Sequence, residues 1–161
     1  MSEHLSVRPA TLKNIPKILE ITNSTVVYDY KERSLTQQTE WFNTKQEAKM
    51  PVLDAEKNSK VLGYRSFGIY WPWEAYKYSV EHSIYVSNSE RGIGVGKILI
   101  EELILLAKKQ GYHTMIAGID AENKRSYRFY EKFGFNEVGR FNEVGYKFNR
   151  WLGLIFMQLY L

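Results

Sequence analysis

The sequence predicts an α/β domain built around one mixed sheet. Segments with strand and helix patterns alternate along the chain instead of forming separate blocks, which favours this class. The 161 residues are 44% apolar and 15% aromatic, enough for one sizeable core. The sequence holds no internal repeat, low-complexity tract or linker rich in Pro, Gly or Ser. We therefore expect one domain over residues 1–161.

The first half of the chain supplies strands and two helices. A short alternating segment at residues 5–11 predicts an opening strand, and apolar residues at helical spacing within 12–25 predict the first helix. Residues 36–48 predict a second helix, which Thr36 introduces. Strands are then predicted on both sides of residues 56–59, whose sequence EKNS favours a turn.

The second half continues the alternation. Its predicted elements are a long strand at 78–86, a helix at 97–111, a strand at 113–120, a short helix at 123–134 and strands at 138–145 and 151–161. Gly111 follows the last apolar turn of the long helix, where a left-handed residue ends many helices. The helices interrupt the strands, which favours an α/β domain around one mixed sheet.

Composition excludes several classes of function. The net charge of +4 comes from 22 basic and 18 acidic residues, which is too mild to indicate a nucleic-acid partner, and the aromatic residues fall at core spacing. The absence of cysteine excludes disulfides, thiolate metal sites and a cysteine nucleophile, and the three histidines are scattered, so we expect no metal. No segment approaches the roughly 20 apolar residues of a membrane span. We expect a soluble cytoplasmic protein.

A glycine-rich loop precedes the long helix. Gly92, Gly94 and Gly96 miss the spacing of a dinucleotide fingerprint, and Lys97 is not followed by the Ser or Thr of a P-loop. Such a loop still lets backbone N–H groups converge at the positive end of a helix dipole. Arg91 and Lys97 add charge suited to a pyrophosphate. The alternative is a flexible turn that caps an ordinary helix.

Several motifs together carry a resemblance to a known family. The segment RGIGVG at residues 91–96 resembles the Q/R-x-x-G-x-G/A acetyl-CoA loop of the GNAT superfamily of N-acetyltransferases. With VEHSIYV, AGIDAEN, YEKFGF and EVGYKFNRWLGLIFMQL, the chain is similar to the phosphinothricin and methionine sulfoximine acetyltransferases from Leu5 onward. The resemblance implies the GNAT fold, in which helices flank a mixed sheet that splays open beside the pantetheine, and a homodimer. It also implies acetyl transfer from acetyl-CoA to the primary amine of a small amino-acid-like molecule.

This resemblance and the chemistry of the reaction suggest the cofactor-binding residues. Backbone N–H groups at the end of the 78–86 strand can polarise a thioester carbonyl and bind pantetheine amides. Asn123 is positioned to cap the following short helix, and the resemblance gives it a second role as a CoA ligand. The expected cofactor-binding residues are Ile84, Tyr85, Val86, Arg91, Gly92, Ile93, Gly94, Val95, Gly96, Lys97, Asn123 and Ser126.

Amine acetylation also needs a base for the ammonium and an acid for the departing thiolate. Strand alternation places Glu81 on the face opposite Val80 and His82, and burial would raise its pKa toward neutrality. Glu81 is therefore the candidate base, acting directly or through a water, and the family's catalytic Glu falls at this position. The alternative is a Glu that faces solvent or pairs with a basic neighbour. His82 is expected to be structural.

Tyr130 is the candidate acid. It shares a helical face with other aromatic residues, so an aromatic core stripe is the alternative. In the wider GNAT superfamily a Tyr at this position faces the CoA sulfur, whereas phosphinothricin-type enzymes often carry His there. The chain departs from that nearer family at two further positions, with Gly153 in place of the usual Asp and Arg65 in place of a small residue.

The acceptor site is predicted by resemblance from two segments. Tyr76 and Lys77 match positions near a bound amino acid, and Lys147 and Phe148 match positions near a dimer interface. A lysine at either site suits a substrate carboxylate, although most lysines are solvated surface charges. A peptide N-terminus or a polyamine is the alternative acceptor. A GNAT-fold module that binds acyl-CoA without turnover is the alternative from another class.

Overall fold

The computed structural model describes residues 4–25 and 28–161. Its elements are, in chain order, β1 (Ser6–Pro9), α1 (Ile15–Ser24), α2 (Leu35–Glu47), β2 (Val52–Lys57), β3 (Lys60–Ile69), β4 (Ser79–Val86), α3 (Val95–Lys109), β5 (Thr114–Asp120), α4 (Lys124–Glu131), β6 (Asn136–Lys147) and β7 (Arg150–Tyr160). The strands form one sheet in the order β1-β2-β3-β4-β5-β7-β6. Strand β4 pairs in parallel with β5, whereas β1–β2, β2–β3, β5–β7 and β6–β7 are antiparallel. The predicted α/β class with a mixed sheet is confirmed.

The chain divides into two compact units. Unit 1 comprises Met1–Gly68 and Ser83–Leu106, and unit 2 comprises Ile69–His82 and Ala107–Leu161. Strand β4 and helix α3 each contribute residues to both units. The single domain expected over the whole chain stays a prediction. Within the described part of the chain, no helix is both long and apolar enough to cross a membrane.

The α2 helix of unit 1 begins one residue before the predicted start. Its N-cap is Ser34, whose Oγ accepts a hydrogen bond from the Gln37 N–H at 3.2 Å, while Gln37 Oε1 accepts one from the Ser34 N–H at 2.9 Å. This reciprocal capping box satisfies two backbone donors at once. The expectation that Thr36 introduces the helix is therefore wrong, because Thr36 already lies in the first turn.

The core of unit 1 packs α1 and α2 against the sheet. Isoleucines of α1 at helical spacing, Phe42 of α2 and Tyr64 of β3 are buried together. The turn between β2 and β3 falls at Asn58 and Ser59, whose φ angles are 51° and 62°. Positive φ at both residues is typical of a tight two-residue hairpin, so the predicted turn is confirmed.

Unit 2 is built on the antiparallel strands β5, β7 and β6. The start of β4 joins them, pairing with β5 from Ser79 with Thr114 to Glu81 with Ile116, although β4 continues to Val86. So short a pairing agrees with the splayed sheet that the resemblance implies. Gly111 has a φ of 82° and its N–H donates to Lys108 O, which confirms the predicted end of α3.

Candidate active site

The glycine-rich loop of unit 1 has the backbone of an anion-binding turn. Gly92 and Gly94 have φ angles of 87° and 93°, which residues with a side chain rarely adopt. A Cβ added at either position would meet no heavy atom within 4 Å, so the space above the loop is open. Gly96 lies inside the first turn of α3. Conformation therefore requires glycine at positions 92 and 94, whereas Gly96 belongs to the helix.

The start of α3 presents backbone donors beside this loop. The Ile98 N–H donates to Gly94 O at 3.1 Å, which begins the helical hydrogen bonding. Helix geometry leaves the N–H groups of the turn before Ile98 for a ligand, at the positive end of the helix dipole. The side chains of Arg91 and Lys97 are exposed, and the Lys97 ammonium lies 3.9 Å from the Glu101 carboxylate. Such an exposed pair is weak, so both cations suit a phosphate ligand.

The end of β4 is held tightly against β3 within unit 1. A Cβ added at Gly63 would lie 2.8 Å from Tyr85 O and 3.0 Å from Val95 Cγ1. The Ser87 N–H donates to Leu62 O at 2.9 Å. Close backbone approach therefore fixes the strand end from which the glycine loop departs, and Gly63 makes that approach possible.

Glu81 of unit 2 is a partly desolvated carboxylate beside a glycine. A Cβ added at Gly118 of β5 would lie 3.4 Å from Glu81 Oε1, so the carboxyl group occupies space that a side chain would take. Part of Glu81 faces solvent, yet the surrounding protein removes enough water to raise the pKa of its carboxyl group. A raised pKa makes a carboxylate a better general base near neutral pH.

Tyr130 is packed within unit 2. Its ring lies 5.1 Å from that of His82 and 5.3 Å from that of Phe135, and the residue is only 6% exposed. His82 is buried in the same aromatic cluster, which suits the structural role expected for it. Packing explains why an aromatic residue stands at position 130. The role of the Tyr130 hydroxyl as the acid stays a prediction.

Asn123 caps α4 as predicted. Its Oδ1 accepts a hydrogen bond from the Ser126 N–H at 3.0 Å. An asparagine side chain also carries two N–H donors on Nδ2, which this cap does not use. The capping role and the proposed contact with CoA therefore do not compete for the same atom.

The residues predicted for the acceptor site lie on two separate segments of unit 2. Tyr76 packs edge-on against the rings of Trp71 and Trp73 in the connection between β3 and β4. The Lys77 ammonium is 3.1 Å from the Glu74 carboxylate, so it already has a counter-charge. Lys147 at the end of β6 lies 4.9 Å from the ring of Phe148, which occupies the turn to β7.

Packing explains one of the two departures from the phosphinothricin-type pattern. A Cβ added at Gly153 would lie 2.9 Å from Ala121 Cβ and 3.2 Å from Phe141 O. No side chain fits there without movement of the surrounding chain, so the aspartate usual in that family is excluded. Arg65 is fully buried in β3.

Sequence reasoning missed a cavity in unit 1. It has a volume of about 340 Å³ and lies in the connection between α1 and α2 and along the start of α2. The connection is tied to α1 by Asn23, whose side chain hydrogen-bonds the backbone N–H and C=O of Arg33 at 2.9 and 3.0 Å. The cavity is lined by Asp29, Tyr30, Lys31, Glu32, Arg33, Gln37 and Trp41. Its only sequence signal is the spacing of Gln37 and Trp41, which places both on one face of α2.

Known proteins similar to this chain are acetyltransferases. The acetyltransferase (GNAT) family model matches residues 15–135. The L-methionine sulfoximine/L-methionine sulfone acetyltransferase of Pseudomonas aeruginosa is 38% identical over 97% of this chain and 94% of its own. An acetyltransferase from Salmonella typhimurium, solved with its cofactor acetyl-CoA, is 35% identical with a TM-score of 0.93 over 98% of this chain and 94% of its own.

A third relative carries a different acceptor in its name. The ribosomal-protein-alanine N-acetyltransferase from Brucella melitensis is 37% identical with a TM-score of 0.95, over 98% of this chain and all of its own. The family match covers most of the chain, and the glycine loop at the start of α3 fits a pyrophosphate. The chain therefore belongs to the GNAT family and is an acetyl-CoA-dependent acetyltransferase.

Proposed function

We propose that this acetyltransferase modifies the primary amine of a small amino-acid-like acceptor of the methionine sulfone, methionine sulfoximine or phosphinothricin type. The observation that carries the proposal is the similarity to the Pseudomonas aeruginosa enzyme, which extends over 97% of the chain. The partly desolvated Glu81 carboxylate, on the strand that leads to the glycine loop, supports it.

In unit 1, the proposed cofactor contacts are made to the pyrophosphate and to the pantetheine. The backbone N–H groups at the start of α3, with Arg91 and Lys97, bind the pyrophosphate. The backbone of residues 84–86 binds the pantetheine and polarises the thioester carbonyl. In unit 2, Asn123 and Ser126 add contacts to CoA. Acetyl-CoA supplies the acetyl group as an activated thioester.

Two side chains of unit 2 are the proposed general base and general acid. Glu81 takes a proton from the acceptor ammonium, directly or through a water, which leaves the amine lone pair free to attack the thioester carbonyl carbon. The C–S bond breaks as the C–N bond forms. Tyr130 gives a proton to the departing thiolate and regains one, directly or through a water, as the newly bonded nitrogen loses its second proton to form the neutral amide. Tyr76, Lys77, Lys147 and Phe148 stay proposed contacts of the acceptor.

A peptide N-terminus is the second candidate acceptor. The name of the Brucella melitensis relative favours it, because that enzyme is described as acting on the alanine of a ribosomal protein. The two candidates differ in the group that follows the amine. A free amino acid presents a carboxylate, whereas a peptide presents a neutral amide and continues into a longer chain.

We also propose that the protein works as a cytoplasmic homodimer. Strand β6 ends the sheet order, so one of its edges has backbone groups available for pairing. Large apolar side chains on β6 and β7 are more than half exposed, among them Phe141 at 54% and Trp151 at 59%. A second copy of the chain would cover this surface, and Phe141→Asp should then yield a monomer in light scattering. A monomeric wild type would contradict the proposal.

An acceptor screen tests the proposed function. Wild-type protein is mixed with acetyl-CoA and one of four amines, and thiol release is measured for L-methionine sulfone, phosphinothricin, an alanine-initiated peptide and spermidine. We expect the free amino acids to react fastest, with Glu81→Gln as the inactive control. Faster acetylation of the peptide or the polyamine would overturn the acceptor assignment. If none of the amines raises thiol release above that of the reaction without amine, a module that binds acyl-CoA without turnover is favoured.

A further inference from the structure

A short 3₁₀ turn at Asn88–Glu90 leads from β4 into the glycine-rich loop of unit 1. Two hydrogen bonds of 2.9 Å hold this turn to other elements of the same unit. The Ser87 N–H donates to Leu62 O of β3, and Asn88 Nδ2 donates to Ser24 O at the end of α1. The chain just before the first glycine of the loop is therefore fixed by contacts within unit 1.

This turn brings a carboxylate close to the loop. Residues 87–97 contain one acidic residue, Glu90, and two basic residues, Arg91 and Lys97. Glu90 comes two residues before Gly92, so their Cα atoms are at most about 7 Å apart. The Glu90 side chain is only 21% exposed, so water screens its charge incompletely. A carboxylate in this position opposes the binding of an anion to the loop.

Lys60 supplies the counter-charge for this carboxylate. Its Nζ donates a hydrogen bond to Glu90 Oε1 at 3.0 Å. Lys60 is the first residue of β3, directly after the tight turn between β2 and β3. Exposed ion pairs contribute little to folding stability. With Glu90 neutralised, however, Arg91 and Lys97 act on a bound anion without an opposing charge.

We propose that Lys60 raises the affinity for acetyl-CoA by neutralising Glu90 at the edge of the glycine-rich loop. The inference rests on the proposed function, in which this loop binds the pyrophosphate of the cofactor. Lys60 is a positioning residue, because it acts through Glu90: its ammonium holds the carboxylate toward the start of β3 and cancels its charge. Without Lys60, the Glu90 charge repels the bound pyrophosphate.

Calorimetry with CoA tests the sign of this effect. Lys60→Met should weaken CoA binding by roughly two- to fivefold at low salt, the size expected of one partly screened charge nearby. Glu90→Gln should bind CoA at least as tightly as wild type, because it removes the repelling charge. The double variant Lys60→Met/Glu90→Gln should likewise recover at least wild-type affinity, and Lys60→Arg should retain it.

A purely structural role of the ion pair gives a different pattern. If the pair only tethers the turn, Glu90→Gln and the double variant would weaken CoA binding as much as Lys60→Met does, and the proposal would be wrong. Salt provides a second criterion. The difference between Lys60→Met and wild type should shrink between about 0.02 and about 0.5 M NaCl, because salt screens charges. A difference that stays constant would also contradict the proposal.

The matched control is Lys17→Met. Lys17 pairs with Glu20 on α1 of the same unit, so this variant also removes a lysine and leaves its glutamate without that partner. Its CoA affinity should equal that of wild type, and an equal loss in Lys17→Met and Lys60→Met would overturn the specific role of Lys60. Because the Lys60 side chain is 55% exposed, its replacement should leave the fold intact. In kinetics, Lys60→Met should raise KM for acetyl-CoA and leave kcat unchanged.

Gly94→Val distinguishes failure of this proposal from failure of the proposed cofactor site. If Gly94→Val weakens CoA binding and Lys60→Met does not, the role of Lys60 is wrong while the loop remains the pyrophosphate site. If neither variant weakens binding, both assignments fail. If only Lys60→Met does, its effect does not act through the loop, which also overturns the proposal. CoA binding is measured without an amine, so the identity of the acceptor does not affect the result.

Discussion

Gly63→Ala tests whether close packing of β3 positions the end of β4 and the start of α3. The new Cβ would lie 2.8 Å from Tyr85 O and 3.3 Å from Val86 Cα, whereas ordinary contacts begin at 3.4 Å. The Tyr85 carbonyl would have to retreat by about 0.6 Å, the difference between 3.4 and 2.8 Å. Both obstacles are backbone, so no rotamer change relieves them. Overpacking of this kind costs about 1–3 kcal/mol.

Two measurements follow from that cost. In a chain of this size about 1 kcal/mol corresponds to roughly 2–4 °C, so the Tm of Gly63→Ala should fall by about 2–12 °C. Calorimetry with CoA should also show weaker binding, by roughly tenfold if about 1.4 kcal/mol of the cost falls on the bound state. The affinity falls because the displaced residues carry the backbone donors proposed for the cofactor.

The matched control is Gly139→Ala in β6. A Cβ added at Gly139 would meet no heavy atom within 4 Å, so this substitution should leave both Tm and CoA affinity near wild type. If Gly63→Ala behaves like Gly139→Ala in both measurements, tight packing of β3 does not position the cofactor site. If it lowers Tm but not CoA affinity, the packing is structural only.

Three further variants test the site. Gly94→Val forces a side chain onto a φ of 93° and should weaken CoA binding in calorimetry, whereas unchanged affinity would exclude the loop as the pyrophosphate site. Glu81→Gln should lower kcat/KM by roughly 10²–10⁴ and remove the acidic limb of its pH profile, as loss of a general base does. Burial raises the Glu81 pKa in the folded state, so at pH values above the unfolded-state pKa the ionised carboxylate destabilises the folded protein. Glu81→Gln removes this charge and should therefore have a slightly higher Tm at neutral pH. Tyr130→Phe keeps the ring packing, so kcat should fall with CoA affinity unchanged in a folded variant. An unchanged kcat would make Tyr130 a core residue only.

Local patterns in the sequence predicted most of the fold. Gly111 ends α3 and Asn123 caps α4 because both act through backbone groups a few residues away. The observed start of α2 differs from the predicted start because Ser34 and Gln37 form a capping box. Their two reciprocal hydrogen bonds stabilise the helix end more than a single cap at Thr36 would. Short-range hydrogen bonding is the part of the structure that sequence spacing encodes directly.

The missed features depend on distant parts of the chain. Lys45 resembles any surface lysine in the sequence, and its burial follows from Phe67 and Gly68, more than twenty residues away. Lys77, in contrast, has its counter-charge three residues away at Glu74, a pair that the sequence already contained. Cavities and half-buried cations arise from tertiary packing, which neither periodicity nor motif spacing reports.

The glycine beside Glu81 offers a way to change the pH dependence of the proposed base from a position that carries no titratable group. Gly118 is exposed, and a methyl group there would lie 3.4 Å from Glu81 Oε1, an ordinary contact that displaces water without a clash. Further desolvation would raise the pKa of the carboxyl group and move the acidic limb of activity to higher pH. Variation at position 118 would thus change the strength of the proposed base while Glu81 itself stays unchanged.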